Sequence, residues 1–124
     1  METLTRETFK QKIFDFESSK DWSFAGPRPA IVDFFADWCA PCRALTPVLE
    51  SVAKEYAGKI DIFKVNTETD PELAALFGVR GIPAILFIPP TGEPVMTAGF
   101  MPHERFQRAI QDVFSIGPAS NDQG

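Results

Sequence analysis

The sequence predicts an α/β fold in which helices cover both faces of a mixed central β-sheet. Three observations predict it. First, Ala30-Ile31-Val32-Asp33-Phe34-Phe35-Ala36 is an almost unbroken apolar run, the pattern of a strand buried on both faces. Second, strand-like runs at 30–36, 60–65 and 84–88 alternate with segments whose apolar residues recur at helical spacing, as in parallel crossover units. Third, the chain then offers two strands around a turn, which adds an antiparallel hairpin to the sheet. The predicted order is helix, strand, helix, strand, helix, strand, strand, helix.

In chain order, Thr5 is the N-cap of a first helix, with Glu7 in its first turn and Phe9, Ile13 and Phe16 on one face, running to about Ser18. Residues 20–29 alternate Trp22 and Phe24 and then carry Gly26, Pro27 and Pro29, so they read as a loop with a short edge strand whose aromatics either cover one end of the core or form part of a partner surface. After the strand at 30–36, Leu45, Val48, Leu49, Val52 and Tyr56 form a helical stripe that ends at Gly58, and Pro47 should kink that helix. A strand at 60–65 follows. Asp70 and Pro71 then supply an N-cap and first-turn proline for a short helix through Leu73, Leu76 and Phe77. Val79 to Pro83 is a loop, 84–88 a strand, 89–94 a turn rich in Pro and Gly, and 95–99 the returning strand. The last helix begins near Pro102 and buries Phe106, Ile110, Val113 and Phe114. Residues 117–124 are polar and breaker-rich, the composition of a disordered tail or of an appended remnant.

Composition narrows the function. The 124 residues suffice for one core, and twelve phenylalanines and two tryptophans supply large apolar surfaces that need no staple. A net charge of −5 argues against nucleic acid or an anionic membrane as partner, because both require concentrated Lys and Arg. No apolar run approaches the roughly 20 residues of a membrane helix, and residues 1–7 lack the basic and apolar regions of a signal peptide. The expected location is the cytoplasm, and an exported protein whose signal had been removed would read the same way.

The chemistry lies in Trp38-Cys39-Ala40-Pro41-Cys42-Arg43, which holds both cysteines at a strand-to-helix junction. A zinc site would need four ligands, and Cys39, Cys42 and the lone His103 fall short of that number. As a structural staple the pair closes too small a loop to remove much unfolded-state entropy. The remaining reading is a thiol-disulfide couple, with Cys39 at the helix start, favoured as thiolate by unpaired backbone N–H groups, and Cys42 as the less exposed resolving thiol. Asp33, acidic within an apolar strand, is either a buried carboxyl of raised pKa able to trade a proton or a solvent-facing position. Lys64 is either its electrostatic partner or a solvated side chain. Trp38 either packs in the core or joins an exposed patch, and Arg43 and His103 read as surface side chains.

A Cys-x-x-Cys beside a βαβ pattern points to a redox motif, and the flanking residues extend the match. Residues 5–114 resemble thioredoxins through Val32-Asp33-Phe34-Phe35-Ala36-Asp37-Trp38-Cys39-Ala40-Pro41-Cys42-Arg43, then Pro47, Lys64, Val79-Arg80-Gly81-Ile82-Pro83, Gly92 and Gly99. The chain has Ala40 where that family usually has Gly and Phe35 where it commonly has Trp, and residues between the cysteines tune redox poise.

The resemblance implies a thioredoxin fold over 1–116, with 20–29 as a loop extension and 117–124 outside the domain. It implies a protein-disulfide reductase whose only redox group is the Cys39–Cys42 pair, with no added cofactor or metal. Asp33 would act as general base for Cys42, Lys64 would support it, and the Ile82–Pro83 bond would be cis and face the cysteines. Trp38, Ala40, Pro41, Gly81, Ile82, Gly99 and Phe100 would form an apolar rim that receives client segments. The implied partners are client proteins with disulfides and an electron donor, either a thioredoxin-reductase-like enzyme or a membrane donor, and the chain would act as a monomer. Two other readings share the fold: an exported oxidase or isomerase, and a binding module whose redox chemistry is incidental.

Overall fold

The computed structural model describes residues 1–117; the tail predicted at 117–124 lies, apart from Gly117, outside the described residues. The elements are β1 (Glu2–Thr3), α1 (Arg6–Lys12), β2 (Ala30–Phe35), α2 (Ala40–Glu55), β3 (Asp61–Asn66), α3 (Pro71–Leu76), β4 (Ala84–Ile88), β5 (Val95–Ala98) and α4 (His103–Phe114). They form a five-stranded sheet in the order β1-β3-β2-β4-β5. Pairing is parallel for β1 with β3 and for β2 with β3, and antiparallel for β2 with β4 and for β4 with β5. The predicted mixed sheet is therefore present, with the apolar β2 at its centre.

Because side chains alternate across a strand, the sheet feeds two cores. Ile31, Ile62, Ile85 and Phe87 face α2 and α4, where Leu45, Leu49, Val52, Phe106 and Ile110 close over them. Val32, Phe34, Leu86 and Ile88 face the other way, onto Phe9, Ile13 and Leu73 of the α1 and α3 side. Each large side chain taken fully out of water there contributes roughly 1.5–3 kcal/mol. Asp33 and Lys64 pair in register across β2 and β3, so both belong to the α2 face.

Several expectations need correction. The first helix ends at Lys12 instead of about Ser18. Phe14 and Phe16 still reach the core from the following turns, so their spacing reports burial and not helix. Residues 20–29 contain no strand; Trp22 instead packs its ring 5.0 Å from Phe14 and 6.0 Å from Phe77, covering the end of the second core. Glu2–Thr3 forms an unanticipated edge strand along β3. Asp70 stands at the N-cap of α3 but makes no cap hydrogen bond, because its carboxylate accepts from the Arg6 backbone N–H at 3.2 Å. Pro47 lies inside its helix as expected, α2 spanning Ala40 to Glu55.

Candidate active site

The cysteines sit where β2 ends and α2 begins. Cys39 is the N-cap of α2 in extended conformation, and its sulfur accepts the backbone N–H of Cys42 at 3.3 Å. Its neighbours Ala40 and Pro41 fill the first turn, where proline fits because no donor is needed. No acidic side chain occupies that turn. The positive end of a 16-residue helix thus acts on Cys39 unopposed from within the helix. Cys39 and Cys42 are joined as a disulfide, with their Cα atoms 5.2 Å apart.

In this oxidised state exposure hardly separates the two cysteines: Cys39 is 4% exposed and Cys42, expected to be the less exposed, 3%. Position separates them instead. Cys39 lies 3.8 Å from the backbone oxygen of Ile82, at the surface groove, whereas Cys42 is one turn inside the helix. The Ile82–Pro83 bond is cis, and the Pro83 carbonyl accepts the Gly99 N–H at 2.7 Å, which ties the start of β4 to the end of the hairpin.

The rim residues are arranged unevenly. Trp38 is 67% exposed, which removes the core-packing reading, and Phe100 is 48% exposed. Trp38, Gly81 and Ile82 line a cleft of about 360 Å³ together with Thr67, Ala74, Val79 and Arg80. Ala40 and Pro41 are exposed beside it and Gly99 is half-buried. The sequence reading assigned no role to Thr67, Ala74, Val79 or Arg80. For Val79 and Arg80 the signal was their place directly before Gly81-Ile82-Pro83, whereas Thr67 and Ala74 arrive only through the fold. A separate concavity of about 430 Å³, against β1, β3 and the 24–27 loop, is lined by neither cysteine.

Behind Cys42 is a second cleft, of about 260 Å³, lined by Phe35, Ala36, Asp37, Cys42, Arg43, Thr46 and Lys64. Asp33 is fully buried, and its carboxylate has no hydrogen-bond partner among the described residues. Loss of solvent drives its pKa up to about 6, with the Lys64 cation pulling in the opposite direction. The solvent-facing reading of Asp33 is thereby overturned. Lys64 is half-buried and lies with its ammonium 4.4 Å from the centre of the Phe35 ring, so it is not simply solvated. Arg43 is exposed and donates from its guanidinium to the Asp37 carbonyl at 2.9 Å, while His103 lies 3.1 Å from Glu55, remote from the cysteines in the chain. Among the described residues no group of three or more His, Cys, Asp or Glu is arranged to hold a metal.

Comparison with known proteins assigns the chain that carries this buried carboxyl, helix-capping cysteine and cis proline to a family. The thioredoxin family model matches residues 1–112. The chain belongs to the thioredoxin family. It is 44% identical over 114 residues to a thioredoxin of Borreliella burgdorferi, covering 92% of this chain and 97% of that one. It is 33% identical over 108 residues to thioredoxin 1 of a Nostoc species, covering 87% and 92%. Among solved structures it resembles a chloroplastic thioredoxin z, with a TM-score of 0.75 at 30% identity over 91% of this chain and 93% of that one.

Thioredoxins exchange dithiol and disulfide with proteins through their own cysteine pair, and this chain is a thiol-disulfide oxidoreductase of that kind, a protein-disulfide reductase. Disulfide-containing client proteins and a reductase that supplies electrons go with that activity. No helix among the described residues is long and apolar enough to cross a membrane.

Proposed function

We propose that Cys39 is the attacking thiolate and Cys42 the resolving thiol, with Asp33 taking the proton that Cys42 gives up. The observation that carries this assignment is the Cys39 sulfur at the N-cap of α2, accepting the Cys42 N–H and lying beside the Ile82 carbonyl. A helix N-terminus stabilises the anionic form of whichever sulfur caps it.

In the forward direction, the Cys39 thiolate attacks one sulfur of a client disulfide. The client S–S bond breaks, a Cys39–client bond forms, and the second client sulfur leaves as thiolate. Cys42 then loses its proton toward Asp33 and attacks the Cys39 sulfur, which closes the Cys39–Cys42 disulfide and releases the client as a dithiol. Two electrons have passed to the client, and a thioredoxin-reductase-type donor returns them. An Asp33 carboxyl with a pKa of about 6 is largely ionised at neutral pH, so it can accept that proton.

Trp38, Ala40, Pro41, Gly81, Ile82, Gly99 and Phe100 form the surface that receives the client. An extended client segment would lie along the Ile82 backbone as an added strand, with cis Pro83 shaping the groove and Lys64 supporting Asp33 from the neighbouring strand. We place the protein in a reducing compartment, the cytoplasm, acting as a monomer.

The roles are tested by Cys42→Ser, which should accumulate mixed disulfides with client proteins through Cys39, mapped by mass spectrometry. Accumulation through Cys42 in a Cys39→Ser protein, and none in Cys42→Ser, would reverse the two roles.

A further inference from the structure

Phe35 stands in the last position of β2, two residues after Asp33, so the two side chains leave the strand on the same face, toward α2. Lys64 enters the same space from β3, paired in register with Asp33. Its ammonium lies over the Phe35 ring, 4.4 Å from the centroid. Phe35 also packs against the cluster that holds Cys39 and Cys42, and Phe35, Cys42 and Lys64 line one cleft.

Among the described residues the Lys64 ammonium makes no ion pair or hydrogen bond, while its backbone carbonyl accepts the Leu4 N–H. A lysine on a flexible four-carbon stem with nothing to hold it would extend into solvent, where water and salt weaken its field at Asp33. The π-face of an aromatic ring attracts a cation, and does so more strongly where water is partly excluded.

We propose that Phe35 is a positioning residue: its ring holds the Lys64 ammonium in the cleft behind Cys42 and so fixes the positive charge that acts on Asp33. The proposal rests on the reading of Asp33 as the group that takes the Cys42 proton. It also gives the residue at this position a chemical requirement, an electron-rich face, which Phe, Tyr and Trp meet and aliphatic side chains do not.

The other charged residues at this space are Arg43 and Asp37, which line the cleft, and Glu2 on the strand beside β3. From α2 comes Arg43, whose guanidinium is tied to the Asp37 carbonyl, and Asp37 itself comes from the loop between β2 and α2. From β1 comes Glu2, which pairs with Lys12 on the side of α1. The residue of β4 opposite Asp33 is the neutral Ile85. Lys64 is therefore the cation whose placement decides the local field, and a cation near a carboxyl favours its ionised form.

The experiment follows the Asp33 carboxyl by carbon-13 NMR through a pH titration of the full oxidised chain. Replacing Phe35 by phenylalanines of increasing ring fluorination keeps the shape and drains the π-face. The midpoint of Asp33 should rise stepwise with fluorination, rise further in Phe35→Leu toward the value in Lys64→Met, and return in Phe35→Trp. In a Lys64→Met background the same changes at position 35 should leave the midpoint where it is. A midpoint that ignores fluorination, or that moves equally with and without Lys64, would overturn the proposal, because the ring would then act by packing alone. Failure of the general-base reading shows separately, as an unchanged rate of mixed-disulfide resolution in Asp33→Asn while the fluorination series still shifts the midpoint.

Discussion

The sulfur of Cys39 lies 3.8 Å from the backbone oxygen of Ile82, although 43 residues separate them in the chain. The contact joins the start of α2 to the loop that precedes β4 and sets the Cys39 sulfur against the Ile82 backbone. In the proposed reaction a client cystine would lie along that backbone with its sulfur facing Cys39. The exposed ring of Trp38 borders the cleft that Ile82 lines.

Trp38→Ala should therefore weaken client binding and leave the thiol chemistry intact. We expect KM for a protein disulfide to rise about tenfold, or on the order of 1–2 kcal/mol, as for other exposed aromatic anchors. The reaction with a small disulfide reagent should be unchanged. Kinetics on both substrates check this, and an equal loss on both would point to a disturbed Cys39 instead.

Asp33 opposes folding at neutral pH. Its folded-state pKa of about 6 lies above the ordinary carboxylate value, so the folded protein holds its proton more tightly than the unfolded chain. The favourable contribution is present in full below the unfolded pKa and disappears as pH rises from there through about 6. Asp33→Asn should accordingly stabilise the protein at pH 7, by up to about 3 kcal/mol, and give no such gain in acid. Denaturant unfolding at both pH values measures it. A gain independent of pH would show that the charge is not the cause.

The same substitution should slow the chemistry it makes sturdier. If Asp33 takes the Cys42 proton, resolution of a mixed disulfide at neutral pH should fall on the order of a hundredfold in Asp33→Asn. In the unaltered protein that step should slow as pH drops through about 6, where the carboxyl becomes protonated, and the variant should lack the inflection. Single-turnover kinetics on a purified mixed disulfide separate this step from client binding.

Much of this architecture is legible in the sequence because it is locally encoded. The β2 run is apolar on both faces, and the cysteines fall where its strand periodicity gives way to a helical stripe. Asp33 stands out because every neighbour in the strand is apolar. What escapes is what partners impose. Glu2–Thr3 is polar and exposed, and it becomes a strand only by pairing with Phe63 and Lys64. Asp70 has the chemistry of a cap, but the Arg6 N–H competes for its carboxylate. Phe16 keeps helical spacing from Phe9, yet after Lys12 the chain turns and delivers it to the core from outside any helix. The cleft lined by Thr67, Ala74 and Arg80 combines residues from separate segments, and no spacing rule joins them.

The most direct test of the central claim is the reduction of insulin disulfides by dithiothreitol, followed by the precipitation of free B chain. Catalytic amounts of the protein should accelerate the reaction well beyond dithiothreitol alone, and Cys39→Ser should abolish the acceleration. A rate equal to that of dithiothreitol alone, from a protein that is folded and carries both cysteines reduced, would contradict the account and leave the groove beside Cys39 as a binding surface only.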